Sequence, residues 1–242
     1  MNKPFRVLCA LLLQGLLCFA ISNAYADADV VYWNSPEGKA MQARMSPDAD
    51  FWQVSPGFSV QQTQSYCSVA SAITVLNALP IKKPVDPTYA PYAYFTQRNF
   101  FTPEVSQIIG ADTVLAIGMT REEMVQVLKR HGVKATTFAG DTLDNEGLRN
   151  QLQKALLDDG QFVLVNYLRS KLDQIGGGHW SVLAAYDAQA DHVLILDVAK
   201  YKYTPAWISI DTLRQAIDTL DTTSNMKRGL VLVSVDAANP AP

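Results

Sequence analysis

The hydrophobic pattern of this chain changes period near Gly160, and that change limits the folds open to it. Before it, apolar residues recur at helical spacing. Val69, Ala72, Ile73, Leu76 and Leu79 define one face of a helix from Ser68 to Leu79, stopped by Pro80. Thr120 with Glu123 has the form of a capping box ahead of Met124, Val127 and Leu128, with Gly132 as the C-terminal stop. A further helix is predicted from Asp144 to Asp159, closed by Gly160. After Gly160 the apolar runs are short and β-rich: Phe162 to Leu168, His179 to Tyr186, Val193 to Val198 and Leu230 to Val235. The segment from Asp187 to Asp191 predicts a hairpin, and a helix is expected over Ile210–Leu220. Helices followed by a mostly antiparallel sheet make an α+β chain.

Residues 1–26 are expected to be a signal peptide. Lys3 and Arg6 precede the apolar run from Val7 to Ala20, and Ala24-Tyr25-Ala26 is a small-x-small cleavage site. The run is short and broken by Gln14 and Gly15, which disfavours a membrane span. Leu17 before Cys18 disfavours a lipid-attachment site. The expected product is an exported, periplasmic protein with no membrane association after cleavage. Its domain would span 27–236, and 237–242 would be a disordered tail. Losing Lys3 and Arg6 takes the formal charge from −3 to −5. A mildly acidic chain without a basic run excludes an electrostatic footprint for nucleic acid. The oligomeric state stays open, with a dimer among the options.

Cys9 and Cys18 fall in the leader, so Cys67 is the one cysteine of the expected mature chain. A lone thiol in an oxidising compartment has no internal disulfide partner. It is either a buried small hydrophobe or a nucleophile. Its place directly before the apolar helix favours the nucleophile, because unpaired helix N–H groups stabilise a thiolate. A base, an orienting acid and an oxyanion donor are then required. Of the three histidines, His131 closes the Thr120 helix, where the dipole would favour an imidazolium, and His192 opens a strand after a turn, in solvent. His179 follows Gly176-Gly177-Gly178 and opens an apolar strand, as a base beside an open backbone should. Asp197 ends the next β-run and can accept a hydrogen bond from the imidazole. Gln61, six positions before Cys67, can donate its amide to an oxyanion; Gln64 competes for the role. The aromatic and proline-rich segment 84–103 is either a loop over the core or a wall of the cleft.

The order Gln, Cys, His, Asp resembles the papain-like cysteine peptidases, whose fold pairs a helical lobe, with the cysteine at a helix N-terminus, and an antiparallel sheet lobe carrying His and Asp. Within that clan the chain more closely resembles phytochelatin synthases (glutathione γ-glutamylcysteinyltransferases) of the catalytic-domain-only bacterial type. Tyr66 through Ser71, Val75 through Leu79 and Tyr92 through Phe101 carry the likeness, with Gly177-Gly178-His179 and Leu194 through Tyr203. Pro205-Ala206-Trp207 and Lys227-Arg228-Gly229 extend it, so it covers about residues 50–235.

That resemblance implies roles. Cys67 would be acylated, His179 would be base and then acid, Asp197 would orient it, and Gln61 would hold the oxyanion. Asp221 and Arg228 would grip the ammonium and carboxylate of a γ-glutamyl head, beside Gly178 in the substrate cleft. Lys200 and Lys202 match positions linked to a second substrate. Plant members resemble this pattern with arginine where Lys200 stands, and lysine cannot make the same planar fork. Ser68 and Trp180 are smaller departures. The cysteine-rich C-terminal region of plant synthases has no counterpart here, so the resemblance implies no metal sensor in this chain. Acylation needs no cofactor; cadmium or zinc would arrive as the thiolate complex of glutathione. The expected activity is cleavage of glycine from glutathione through a thioester on Cys67, with hydrolysis dominating transfer to a second glutathione. Two alternatives stand: a peptidase on ordinary peptides, as in bacteriocin-leader peptidases, and a non-enzymatic thiol or metal-binding protein ligating an ion through Cys67, His179 and Asp197.

Overall fold

A computed structural model describes residues 29–157 and 160–235. The expected leader, with Cys9 and Cys18, and the expected tail lie outside the described residues. The helices are α1 (Pro36–Ala43), α2 (Phe51–Val54), α3 (Cys67–Ala78), α4 (Pro103–Ser106), α5 (Ala111–Ile117), α6 (Arg121–Arg130), α7 (Asn145–Ala155) and α8 (Ile210–Ile217). The strands are β1 (Val30–Tyr32), β2 (Val133–Ala139), β3 (Gln161–Leu168), β4 (Gly178–Asp187), β5 (His192–Leu196), β6 (Ala206–Ser209), β7 (Leu220–Asp221), β8 (Met226–Lys227) and β9 (Gly229–Val235).

Local signals account for several boundaries. The Thr120 hydroxyl accepts the Glu123 N–H and the Glu123 carboxylate accepts the Thr120 N–H, so the capping box forms. Gly132 follows at φ +80°, a conformation that turns the chain out of α6 at no steric cost to glycine. Asp144 caps α7 through the Gly147 N–H. That helix stops at Ala155 rather than Asp159, where the Leu156 carbonyl turns to accept the Asp50 N–H.

The main sheet has the order β1-β6-β5-β4-β3-β9-β2, and every pair in it is antiparallel. Its two edges, β1 and β2, come from the half of the chain that reads as helical. In β2 only Val133 and Ala135 are fully buried, too short an alternation to stand out in sequence. Pairing with β9 over its full length makes it a strand.

Both faces of the sheet are covered. Val182, Ala184, Leu194 and Leu196 pack with α3 and α6 on one side, and Leu183, Val193 and Ile195 pack with α7 and α8 on the other. Central strands buried on both faces read as unbroken apolar runs. This burial corrects the solvated placement of His192. The ring is 2% exposed, in a central strand, with Nδ1 2.6 Å from the Ala190 carbonyl. It also corrects the charge expected on His131. His131 caps α6 through its backbone N–H, while its ring packs between Phe95 and Phe100, and burial depresses its pKa to about 4, which favours the neutral form.

The 84–103 segment folds over the core. Phe95 and Phe100 are buried, and Asn77 of α3 bonds both backbone groups of Phe95 at 2.9 Å.

Candidate active site

Cys67 is the first residue of α3, and no side chain caps the helix at Tyr66. The sulfur therefore lies in the partial positive field of unpaired helix amides. It accepts hydrogen bonds from the backbone N–H groups of Ser68 and Trp180 and bonds the His179 ring. Packing of α3 against β4 brings the two side chains together. Burial alone would push the thiol up, but the adjacent His179 charge and these hydrogen bonds hold it below its ordinary value. Burial likewise disfavours a charged His179, and the Cys67 thiolate and Asp197 more than restore it, so its pKa is raised. Each charge favours the other, so the coupling biases the pair toward thiolate and imidazolium.

Asp197 lies immediately after β5, and its Oδ1 is 2.9 Å from His179 Nε2. That contact commits Nε2 and turns the other ring nitrogen toward the thiol. The carboxylate is only 2% exposed. Burial opposes its ionisation, yet hydrogen bonds and charge from His179 and Arg169 keep it well below the usual carboxylate range. Arg169 is a residue that sequence reasoning missed. Its guanidinium lies 2.9 Å from Asp197 Oδ1 and 2.8 Å from Oδ2, is 2.6 Å from Gln174 Oε1, and stacks over Tyr203 at 4.9 Å. An arginine following an apolar strand carries no mark in the sequence; its burial and its partner come from the fold.

The predicted oxyanion candidates are both near. Gln61 is 4% exposed, and its backbone N–H bonds the Val198 carbonyl beside Asp197. Its side-chain amide donates to the Thr63 carbonyl at 2.8 Å and the Tyr201 hydroxyl at 2.9 Å. Gln64 is exposed and lines the same cavity.

Two cavities open beside the Cys67–His179 pair, and Gly178 lines both. The first, about 180 Å³ and open to solvent, joins Cys67 to Asn166, Asp221 and Arg228. Arg228 is 7% exposed, donates to Asn166 Oδ1 at 2.6 Å and lies 3.6 Å from Asp221. Its Nε is buried without a hydrogen-bond acceptor. Asp221 is itself oriented by the Thr223 N–H at 3.1 Å. The pair predicted from sequence is thus held inside the cleft by the β7–β8 hairpin, not solvated on the surface. Asn166, the residue that fixes Arg228, was missed, because nothing distinguishes one asparagine in an apolar strand.

The second cavity, about 220 Å³, meets Gln61, His179, Arg169, Tyr201 and Lys202. Lys202 reaches it, with Nζ 2.6 Å from the Ile175 carbonyl. Lys200 lines neither cavity; its Nζ is held 2.7 Å from the Phe58 carbonyl and 3.8 Å over the Phe58 ring. Nor does the 84–103 segment line either one.

The metal-ligation alternative required Cys67, His179 and Asp197 to converge on one ion. Instead His179 lies between the other two, and the Asp197 oxygens face a guanidinium. Among the described residues no group of three or more His, Cys, Asp or Glu side chains is placed to hold a metal.

Comparison with known proteins agrees with this arrangement. Residues 23–230 match the family profile described as phytochelatin synthase. The chain is 28% identical over 222 residues to glutathione gamma-glutamylcysteinyltransferase 1 of Triticum aestivum, covering 92% of this chain and 42% of that protein. It is 30% identical over 177 residues to glutathione gamma-glutamylcysteinyltransferase 2 of Arabidopsis thaliana, covering 73% of this chain and 38% of the relative. It therefore spans about two fifths of the length of these plant relatives. Among solved structures, the peptidase domain of Streptococcus ComA, a bi-functional ABC transporter, aligns at 14% identity and a TM-score of 0.43, over 74% of this chain and 97% of that one. With the family profile matched over most of its length, and Cys67 and a charged pocket joined in one cleft, this chain belongs to the phytochelatin synthase family.

Proposed function

We propose that the chain cleaves glutathione at its cysteinyl–glycine bond and carries the γ-glutamylcysteinyl group as a thioester on Cys67. The observation that carries this reading is the cavity linking Cys67 to the half-buried Asp221 and the buried Arg228. A γ-glutamyl head bears an ammonium and a carboxylate on one carbon, and the pair offers one partner for each. The buried, unsatisfied Arg228 Nε supports an anionic occupant. The names of the wheat and Arabidopsis relatives support the same substrate.

In the reaction the Cys67 thiolate adds to the carbonyl carbon, and Gln61 with the Cys67 backbone N–H receives the oxyanion. His179 gives its proton to the departing glycine nitrogen as the C–N bond breaks. The neutral imidazole then takes a proton from water, or from the amine of a second glutathione, as that nucleophile attacks the thioester. Water yields γ-glutamylcysteine; glutathione yields a peptide longer by one γ-glutamylcysteinyl unit. Hydrolysis is the dominant outcome in this reading, supported by Lys200, which is held on Phe58 and away from the second cavity. Cadmium or zinc enters only as the thiolate complex of the substrate. The leader-like N-terminus supports export to the periplasm, where this reaction would take place.

Mass spectrometry after brief exposure to glutathione tests acylation. A γ-glutamylcysteinyl adduct on Cys67, with γ-glutamylcysteine and glycine released in equal amounts, is the expected result. Rapid accumulation of longer peptides would overturn the hydrolytic preference. Absence of any adduct, with cleavage of ordinary peptides, would replace the reading with the peptidase alternative.

A further inference from the structure

The side-chain amide of Gln61 has two N–H groups, and both are committed. One bonds the Thr63 carbonyl at 2.8 Å and the other the Tyr201 hydroxyl at 2.9 Å. With Gln61 as the oxyanion donor of the proposed reaction, the carbonyl oxygen attacked by Cys67 would need one of them. The two acceptors are not equivalent. Thr63 O belongs to the same loop, and a carbonyl is the stronger acceptor. Gln61 is 4% exposed and anchored through its backbone to Val198, so its orientation does not depend on Tyr201. The Tyr201 ring is 60% exposed and lines the second cavity beside His179 and Lys202. It is the more exposed of the two partners, and the one an occupant of that cavity would push.

On the reading of Cys67 as an acyl carrier, we propose that Tyr201 gates the oxyanion donor. Its hydroxyl occupies a Gln61 N–H in the free protein and yields it when the glycine end of the substrate fills the second cavity. No covalent change is involved; one N–H passes from the Tyr201 oxygen to the reacting carbonyl oxygen. The contact holds back acylation when the cavity is empty and makes the donor available when it is filled. The first cavity, where the γ-glutamyl head would lie, does not include Tyr201.

Tyr201→Phe keeps the ring and removes the acceptor. The rate of Cys67 acylation by glutathione should rise about three- to tenfold, the worth of one neutral hydrogen bond that no longer has to be exchanged. A residue with a merely structural role would lower that rate when altered. In a Gln61→Ala background, where acylation is itself slower by about 10²–10³, adding Tyr201→Phe should change nothing, because Tyr201 acts through Gln61 alone. An unchanged or reduced rate for Tyr201→Phe, with normal adduct formation by the wild-type protein, overturns the gate and leaves the acyl-transfer reading standing. An equal effect of Tyr201→Phe in both backgrounds also overturns it, since Tyr201 would then act on the substrate directly. Failure of the wild-type protein to form any Cys67 adduct overturns both.

Discussion

The guanidinium of Arg228 lies directly over the backbone of Gly178: a Cβ added at position 178 would stand 2.1 Å from Nη1. Glycine is required here for proximity, and φ plays no part. Arg228 cannot easily withdraw, because it is buried and tied to Asn166. Gly178→Ala should therefore displace the arginine and lower glutathione acylation by at least about 100-fold, the loss of one to two charge-assisted hydrogen bonds. Alkylation of Cys67 by iodoacetamide should remain within about threefold of wild type, since the thiol and His179 are untouched. Parallel loss of both reactivities would count against a binding role for this contact.

Arg169 and Asp197 form a buried ion pair behind His179. Removing one member of such a pair typically costs about 3–5 kcal/mol, because a charge is left buried and unpaired. Arg169→Met should lower thermal stability on that scale. In the surviving protein Asp197 would lose one of its causes of ionisation, and acylation should fall about 10–100-fold. Asp197→Ala removes the acceptor that orients the imidazole and should cost more, about 10²–10⁴ in rate. Calorimetry and single-turnover acylation read the two effects separately.

The depressed thiol of Cys67 and the raised imidazole of His179 fix the sign of a pH response. Alkylation of Cys67 should persist to lower pH than that of an ordinary cysteine, and fall as acid protonates the thiolate. His179→Ala removes the positive charge, and burial is then unopposed by it. Its alkylation curve should shift to higher pH by at least about one unit. A curve that coincides with wild type would show that the ion pair does not control the thiol.

His131 supplies a separate, structural pH dependence. Its folded pKa of about 4 lies below its ordinary value of 6.5. The unfolded chain therefore binds the extra proton first as pH falls. Stability from the neutral ring is complete above pH 6.5 and is lost progressively down to about pH 4, by at most about 3 kcal/mol. His131→Phe keeps an aromatic ring between Phe95 and Phe100 and should flatten the stability curve in that window. A slope equal to that of wild type would refute the assignment.

Much of this molecule was decided by local chemistry and is readable as such. The start of α3 at Cys67, the capping box of α6 and the apolar central strands each depend on residues within a turn or a strand of one another. The order of Cys67, His179 and Asp197 was legible for the same reason: each stands at the end of an element whose type its neighbours set. Tertiary structure decided the rest. Asp197 meets Arg169 across 28 positions and Arg228 meets Asn166 across 62, contacts created by strand pairing and invisible to any local pattern. The edge strands β1 and β2, the burial of His192, the withdrawal of Lys200 onto Phe58 and the hold of Tyr201 on Gln61 have the same origin. A residue's neighbours along the chain set its backbone conformation, but the packing of distant segments sets its dielectric surroundings and its partners, and those govern its chemistry.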